Sequence, residues 1–145
     1  RVKGLPILKP PYSRVTAVDL NTGDTKWTAV NGDTPPEIKS NPALAGVTLP
    51  KTGAQTRPAI LVTKTLLLVG EGNGAQPILH VLDKATGAEI TAITVPGTIN
   101  SVPMSYQLNG RQYIAFWTSN RQALQPSELI TLALPSSGGR GRGGQ

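Results

Sequence analysis

AVDLNTGDTKW, residues Ala17 to Trp27, decides the fold, because its pattern returns as VLDKATGAEIT, residues Val81 to Thr91. Asp19, Thr22 and Gly23 recur as Asp83, Thr86 and Gly87, each 64 residues later, and Thr91 stands where Trp27 would return. RVTAVDL (Arg14 to Leu20) alternates apolar and polar residues and is rich in Val and Thr, which predicts a half-buried strand. Asn21-Thr22-Gly23-Asp24 predicts a turn, closed by the positive φ that Gly23 is free to adopt. TKWTAV (Thr25 to Val30) is then the returning strand. One such hairpin would be unremarked, but a hairpin that returns at a fixed interval marks a repeat architecture.

Upstream, RVKGLPILKPPYS (Arg1 to Ser13) carries three prolines and predicts an extended connector. Downstream, Asn31 to Thr56 is too polar and too broken by Pro and Gly for a strand. A loop of that length in a compact domain is functional or mobile. Within it, Asn41 as N-cap and Pro42 at the first helical position predict a short helix around Pro42 to Ala45. Strands resume at Ala59 to Val62 and Leu66 to Val69. The continuous apolar run LLLV predicts a strand buried on both faces. Ile78 to Asp83 and Ala88 to Val95 complete four consecutive antiparallel strands. Pro96 to Asn100 breaks the pattern. Val102 to Leu108 and Gln112 to Thr118 then pair around the Asn109-Gly110 turn. Ser119 to Ser127 is expected as a loop, and Glu128 to Leu134 is the last strand.

The strands fall into groups of two, four and three, and four-stranded antiparallel units in series are the blades of a β-propeller. The fold class expected is therefore all-β, a partial β-propeller formed by two to three blades. Residues 1–135 form the blades, and the Gly-, Arg- and Ser-rich residues 136–145 form a flexible tail. The fourth strand missing from the last blade is expected to lie upstream of Arg1, so that the chain is the carboxyl end of a larger ring.

Composition narrows the function classes. Hydrophobic residues make up 38% and charged residues only 15%, which excludes a charge-driven disordered chain. Cysteine is absent, so neither a disulfide framework nor a thiolate metal site is available. The net charge of +6 invites nucleic acid, but the basic residues are scattered and gather on no single face, so none is expected as a partner. The only histidine, His80, sits on a strand among apolar residues, a structural placement rather than a catalytic one. Glu71-Gly72-Asn73-Gly74 offers one carboxylate, too few for Ca²⁺, and is expected as a turn. No phosphate-binding loop, dinucleotide fingerprint or nucleophile elbow is present.

The residues Ala17, Asp19, Thr22, Gly23 and Trp27 fit A-x-D-x-x-T-G-x-x-x-W, and in this they resemble the tryptophan-docking motif of the pyrroloquinoline quinone (PQQ) dehydrogenases. LPILKPPYSRVTAVDLNTG, NGDTPPEI, NPAL, LVTKTLLLVGEG, LDKATG and VPMSYQLNGRQYIA resemble, in order and spacing, the carboxyl end of the membrane-type glucose dehydrogenase branch. The resemblance runs to Pro135. It implies an eight-bladed ring that oxidises glucose or a related sugar or alcohol with PQQ and Ca²⁺. Hydride passes to the quinone and electrons pass on to a respiratory quinone acceptor. It also implies a periplasmic location, with an inner-membrane anchor through an upstream segment. The catalytic aspartate and the calcium ligands of the family belong to earlier blades, so no catalytic or metal residue, and neither cofactor by itself, is expected here. Asn100, Ser101, Asn120 and Arg121 are the candidate contacts to cofactor or substrate from the rim. The residues also differ from the family: Thr91 replaces the second docking Trp, and the loop after QYIAFW lacks glycine. Similar docking repeats occur in non-catalytic propeller scaffolds that bind protein partners, and that is the alternative.

Overall fold

A computed structural model describes residues 1–54, 56–72, 77–120 and 125–134. The strands are β1 (Arg14–Val18), β2 (Thr25–Val30), β3 (Ala59–Val62), β4 (Leu66–Gly70), β5 (Ile78–Asp83), β6 (Glu89–Thr94), β7 (Thr98–Ile99), β8 (Met104–Leu108), β9 (Arg111–Asn120) and β10 (Gln125–Ala133). A four-residue helix α1 (Pro36–Lys39) and a 3-10 turn (Pro42–Leu44) lie in the long loop. All pairings are antiparallel. β1 and β2 form a hairpin sheet, and β3-β4-β5-β6 form a four-stranded sheet in chain order. In the last sheet β9 is central, β10 flanks one side, and β7 and β8 share the other.

The last sheet departs from its expected bounds in two ways. Thr98 and Ile99 pair with Ser119 and Thr118, so the break at Pro96 to Asn100 is itself partly strand. β7 and β8 are in effect one edge strand, interrupted at residues 100–103. Within the expected loop Ser119 to Ser127, the described residues 119–120 and 125–127 belong to β9 and β10, with Gln125 opposite Asn120 and Glu128 opposite Thr118; residues 121–124 lie outside the described residues. Once two strands are in register, backbone pairing carries on beneath polar side chains, and the apolar pattern stops short of the true strand ends.

The long loop holds one surprise and one confirmation. α1 is too short to show a helical period, and its signal reduces to Pro36 in the first turn. The 3-10 turn begins as expected, with Asn41 Oδ1 accepting from the Ala43 amide at 2.9 Å. Asn41 Nδ2 also donates to the Lys3 carbonyl at 3.0 Å, tying the amino-terminal connector to the loop. That connector is not simply extended, because Val2 and Leu5 pair across Lys3-Gly4.

The three sheets stack, and β4 shows why LLLV is apolar throughout. Leu67 and Val69 join Leu82 on one face, against Val15 and Trp27 of the hairpin. Leu68 points the other way, into a cluster with Ala59, Leu79, Val95, Ile99 and Phe116 that joins the middle sheet to the last one. A strand between two neighbouring sheets has no solvent face, which is why alternation disappears in its sequence. Gly70 lies against Ile99, where a Cβ would meet the Ile99 Cβ at 3.0 Å, so the two sheets approach closely at this end.

The two turns of the repeat are built alike. Asp19 Oδ1 accepts from the Asn21 amide at 2.9 Å, and Thr22 Oγ1 accepts from the Asp24 amide at 3.3 Å. In the second copy Asp83 Oδ1 accepts from both the amide and the hydroxyl of Thr86, at 2.8 and 2.9 Å. The Lys26 ammonium 2.9 Å from Asp19 holds that carboxyl below its ordinary range, helped by the Asn21 amide. Each turn thereby supplies acceptors to amides that would otherwise have none.

The repeat then meets itself. Trp27 of the first copy lies on Gly87 of the second, and its Nε1 donates to the Lys84 carbonyl at 3.1 Å. A Cβ at Gly87 would stand 2.5 Å from Trp27 Cε3 and 2.6 Å from Cδ2. Glycine is required here twice over, by a φ of +74° and by the ring on its face. Beyond the last sheet no such partner stands among the described residues: Met104, Tyr106, Leu108, Trp117 and Leu129 are exposed. No helix among the described residues is long and apolar enough to cross a membrane.

Gly23 and Gly87 share a positive φ, but a Cβ at Gly23 would meet nothing within 4 Å. Gly23→Ala is therefore expected to cost only the backbone term, about 1 kcal/mol. Gly87→Ala is expected to cost at least about twice that, because the ring must shift as well. Urea unfolding of the two variants checks the difference, and equal costs would contradict the dock.

Candidate functional site

Strand register places the functional end of the stack. Gly70 pairs with Leu79 and Ile78 pairs with Thr94, so Glu71 and Gly72 after β4, Pro77 before β5 and residues 95–97 after β6 lie at one end of the middle sheet. Thr98 and Gln125 lie at the same end of the last sheet, since both pair next to the carboxyl end of β9. The carboxyl end of β2 opens onto Asn31 at this end too, close to Glu71. The repeat turns, with Trp27 and Lys84, lie at the opposite end. The stack thus has a docked end and a rim of loops.

The long loop is closed at its base rather than hanging free. The Ala54 amide donates to the Asn31 carbonyl at 3.3 Å, and the Asn31 amide donates to the Ser13 carbonyl at 3.1 Å. Thr34 Oγ1 accepts from the Thr52 amide at 3.1 Å and donates to the Pro50 carbonyl at 3.1 Å. Gly53 permits this closure, since a Cβ there would come within 2.6 Å of the Ser13 carbonyl oxygen. The Thr56 hydroxyl then donates to the Glu71 carbonyl, which brings the end of the loop to the next sheet.

Glu71 is where these pieces meet. Its residue is 3% exposed, yet it is ionisable, and its Oε1 lies 2.9 Å from His80 Nε2. The other ring nitrogen, His80 Nδ1, lies 2.7 Å from Glu89 Oε2. A neutral imidazole has only one N–H, so two carboxylate acceptors call for the doubly protonated ring. The Glu71 bond raises the His80 pKa most, burial opposes it, and the Glu89 bond and charge add to the rise. A raised histidine pKa stabilises the fold fully below the ordinary value of 6.5, and that contribution is lost as pH climbs through the raised value.

The group opens on a cleft of about 270 Å³ between the hairpin and the middle sheet. Asn31, Gly32, Asp33, Lys51, Glu71, His80 and Glu89 line its polar side, and Val15, Ala29, Val30, Ile78, Leu82 and Ala92 line the rest. A Cβ at Gly32 would stand 3.4 Å from Glu71 Oε2, so the loop backbone lies directly over the carboxylate. Asn31 Nδ2 is buried without a hydrogen-bond partner.

Of the residues expected at the rim, Asn100 and Ser101 lie together at the interruption of the edge strand. Each makes one side-chain hydrogen bond to β9. Asn100 Nδ2 donates to Ser119 Oγ at 2.6 Å, and Ser101 Oγ accepts from the Trp117 amide at 2.7 Å. They splice the interrupted edge to β9. Asn120 ends the described part of β9, on the same rim, and Arg121 lies outside the described residues. His80 sits on a strand as expected, but its partners were missed. Glu71 read as part of a turn, and Glu89 faces His80 diagonally because the register shifts between Val81 and Leu82. The one signal available was alternation, which sets His80 on the same face of β5 as Leu82.

Comparison with known proteins bears on this arrangement. The model of the PQQ glucose/ethanol/alcohol dehydrogenase β-propeller domain matches residues 1–114. The chain belongs to this family. It is 26% identical over 140 residues to the glycerol dehydrogenase large subunit of Gluconobacter thailandicus, covering 92% of this chain and 18% of that one. It is 24% identical over 140 residues to quinoprotein glucose dehydrogenase A of Acinetobacter calcoaceticus, covering 92% of this chain and 17% of that one. The chain therefore spans under a fifth of the length of these relatives.

Family membership raises the question of PQQ and Ca²⁺, and the residues here answer it by charge. PQQ carries carboxylates and calls for cations and amide donors. The cleft sets Asp33, Glu71 and Glu89 against Lys51 and a His80 already shared between two carboxylates, which is the wrong sign. Asn100 and Ser101 each make one side-chain hydrogen bond within the sheet. Among the described residues no three His, Cys, Asp or Glu side chains gather as a metal site. The cleft fits neither group.

Asn100→Ala removes a side-chain bond that splices the edge strand, and is expected to cost about 0.5–1.5 kcal/mol. Chemical denaturation checks it; an unchanged midpoint would free Asn100 for a role at the rim.

Proposed function

We propose that these blades form part of a PQQ-dependent dehydrogenase that oxidises glucose, glycerol or a related polyol, with electrons passing to a quinone acceptor. The observation that carries the proposal is the family match over residues 1–114, on a chain whose repeat docks as Trp27 on Gly87. The names of the relatives, glucose dehydrogenase and glycerol dehydrogenase, support a polyhydroxylated substrate and leave the glucose-type branch as part of the proposal.

In this proposal the segment's task is mechanical. It holds a stretch of rim in place, while the catalytic base and the Ca²⁺ ligands come from further blades. PQQ supplies the hydride-accepting quinone when bound. What the residues here contribute is a fixed wall: the closed loop base at Asn31, Thr52 and Gly53, the Glu71 junction, and the spliced edge at Asn100 and Ser101. The exposed apolar face around Met104, Trp117 and Leu129 supports further blades as partners. A periplasmic location with an anchor outside these residues belongs to the same proposal.

The hydrogen bonds that Asn100 and Ser101 make to β9 favour the second reading, a propeller scaffold that binds protein and performs no oxidation. One assay separates the two. The intact protein, given PQQ and Ca²⁺, is expected to reduce an artificial acceptor dye when glucose or glycerol is added. The 145-residue chain alone is expected to reduce none. No polyol-dependent reduction by the intact protein would favour the scaffold, and reduction by the chain alone would contradict the division of labour.

A further inference from the structure

The dipeptide Asn-Gly occurs three times in the chain, at Asn31-Gly32, Asn73-Gly74 and Asn109-Gly110. Asn73-Gly74 lies outside the described residues, and the other two sit in opposite surroundings. Asn109 and Gly110 are the whole of the turn between β8 and β9, both exposed and both at positive φ, +50° and +76°. Leu108 pairs with Arg111 directly beneath them. Asn31-Gly32 stands at the rim end of the seam between the hairpin and the middle sheet, where both residues are buried.

We propose that Asn109 is a site of covalent self-modification, deamidating through a succinimide, and that the fold protects Asn31 from the same reaction. The reaction needs no partner beyond water. The Gly110 backbone nitrogen gives up its proton to solvent and attacks Cγ of the Asn109 side chain. A C–N bond forms, the Cγ–Nδ2 bond breaks, and Nδ2 takes a proton and leaves as ammonia. Water then opens the five-membered ring at either carbonyl, giving Asp or isoaspartate. Glycine favours the attack, because no Cβ shields its nitrogen.

What separates the two sites is how freely the peptide between Asn and Gly can turn to bring its nitrogen to Cγ. At Asn109 nothing holds it. Neither the side chain nor the carbonyl of Asn109, nor the Gly110 amide, makes a hydrogen bond, and a Cβ at Gly110 would meet nothing within 4 Å. β8 is exposed along its whole length and pairs only with β9 among the described strands, so the turn opens without disturbing the core. At Asn31 the same peptide is pinned. Its carbonyl accepts from the Ala54 amide at 3.3 Å, the Asn31 amide donates to the Ser13 carbonyl at 3.1 Å, and a Cβ at Gly32 would stand 3.4 Å from both the Ala54 nitrogen and Glu71 Oε2. The Asn31 Nδ2 is shut away from water as well. Turning that peptide means opening the loop base, and the reaction waits on the opening. At Asn109 the product acts on the last sheet. Isoaspartate adds a carbon to the backbone of the turn, so Leu108 and Arg111 lose their register, next to the stacked pair Tyr106 and Tyr113. Either product sets a new carboxylate beside Arg111.

This site goes beyond the dehydrogenase proposal, and its test reads no turnover, so either can fail alone. The intact protein is held at mildly alkaline pH, both folded and in urea, then digested with trypsin and read by mass spectrometry. Cleavage after Lys and Arg puts Asn31 in residues 27–39 and Asn109 in residues 85–111, and fragmentation tells Asn109 from Asn100. In the folded protein Asn109 is expected to convert at least about tenfold faster than Asn31, because only Asn31 needs a local opening first. In urea the two rates are expected to come within about threefold of each other, since the fold no longer separates them. Asn109→Gln, whose longer side chain disfavours the five-membered ring, is expected to end conversion at that position. An Asn109 as well preserved as Asn31 in the folded protein would overturn the proposal. So would equal conversion at both, a gap as wide in urea as in the folded state, or conversion within residues 85–111 that persists in Asn109→Gln.

Discussion

The indole of Trp27 lying flat on Gly87 is the contact from which the rest of the stack takes its position. A hairpin of two short strands has too little core to stand alone. Trp27 and Val15 complete the cluster of Leu67, Val69 and Leu82, so the hairpin is stable only as a layer on the middle sheet. The ring also fixes the distance between layers, because nothing larger than hydrogen fits between it and the Gly87 backbone. From that spacing follow the cleft at the other end, the placing of Gly32 over Glu71, and the alignment of the rim loops.

The two ends of the seam use different physics for different ends. The docking contact itself is apolar with one neutral hydrogen bond, and neither Trp27 nor Gly87 carries a titrating group. The rim end is built on a buried carboxylate, an imidazolium and a half-exposed second carboxylate. Such a group is weak as a source of stability, since the cost of desolvating the charges offsets most of their attraction. Its value lies in fixing one arrangement of the loop base. Asn31 Nδ2, buried and unpartnered a short distance away, is a further sign that this end favours position over stability.

Much of this was legible in the sequence, and the reasons differ by element. The repeat turns were readable because Asp, Thr and Gly do specific work on a few backbone amides, and that work leaves a fixed spacing. LLLV in β4 was readable because a strand between two layers has no polar face. The 3-10 turn was readable from Asn41 and Pro42 alone. β7 and the few residues at the rim ends of β9 and β10 were not, because their pairing is set by backbone register rather than by an apolar pattern. The Glu71–His80–Glu89 group was hidden for a related cause: its members lie on two strands and a loop, brought together by a register shift that no local pattern announces. The rim contacts expected at Asn100 and Ser101 were read from a family likeness, and the structure shows those side chains bonded within their own sheet.

The most direct test of the central contact is a double-mutant cycle between Trp27 and Gly87, using Trp27→Ala, Gly87→Ala and the pair, each followed by urea unfolding of the intact protein. If the ring is seated on the glycine, the two changes are coupled: once Trp27 is gone, the added methyl at position 87 has room, and the double variant loses at least about 1 kcal/mol less than the sum of the singles. Costs that simply add would mean that Trp27 and Gly87 do not touch, and the layer spacing would have to be set elsewhere.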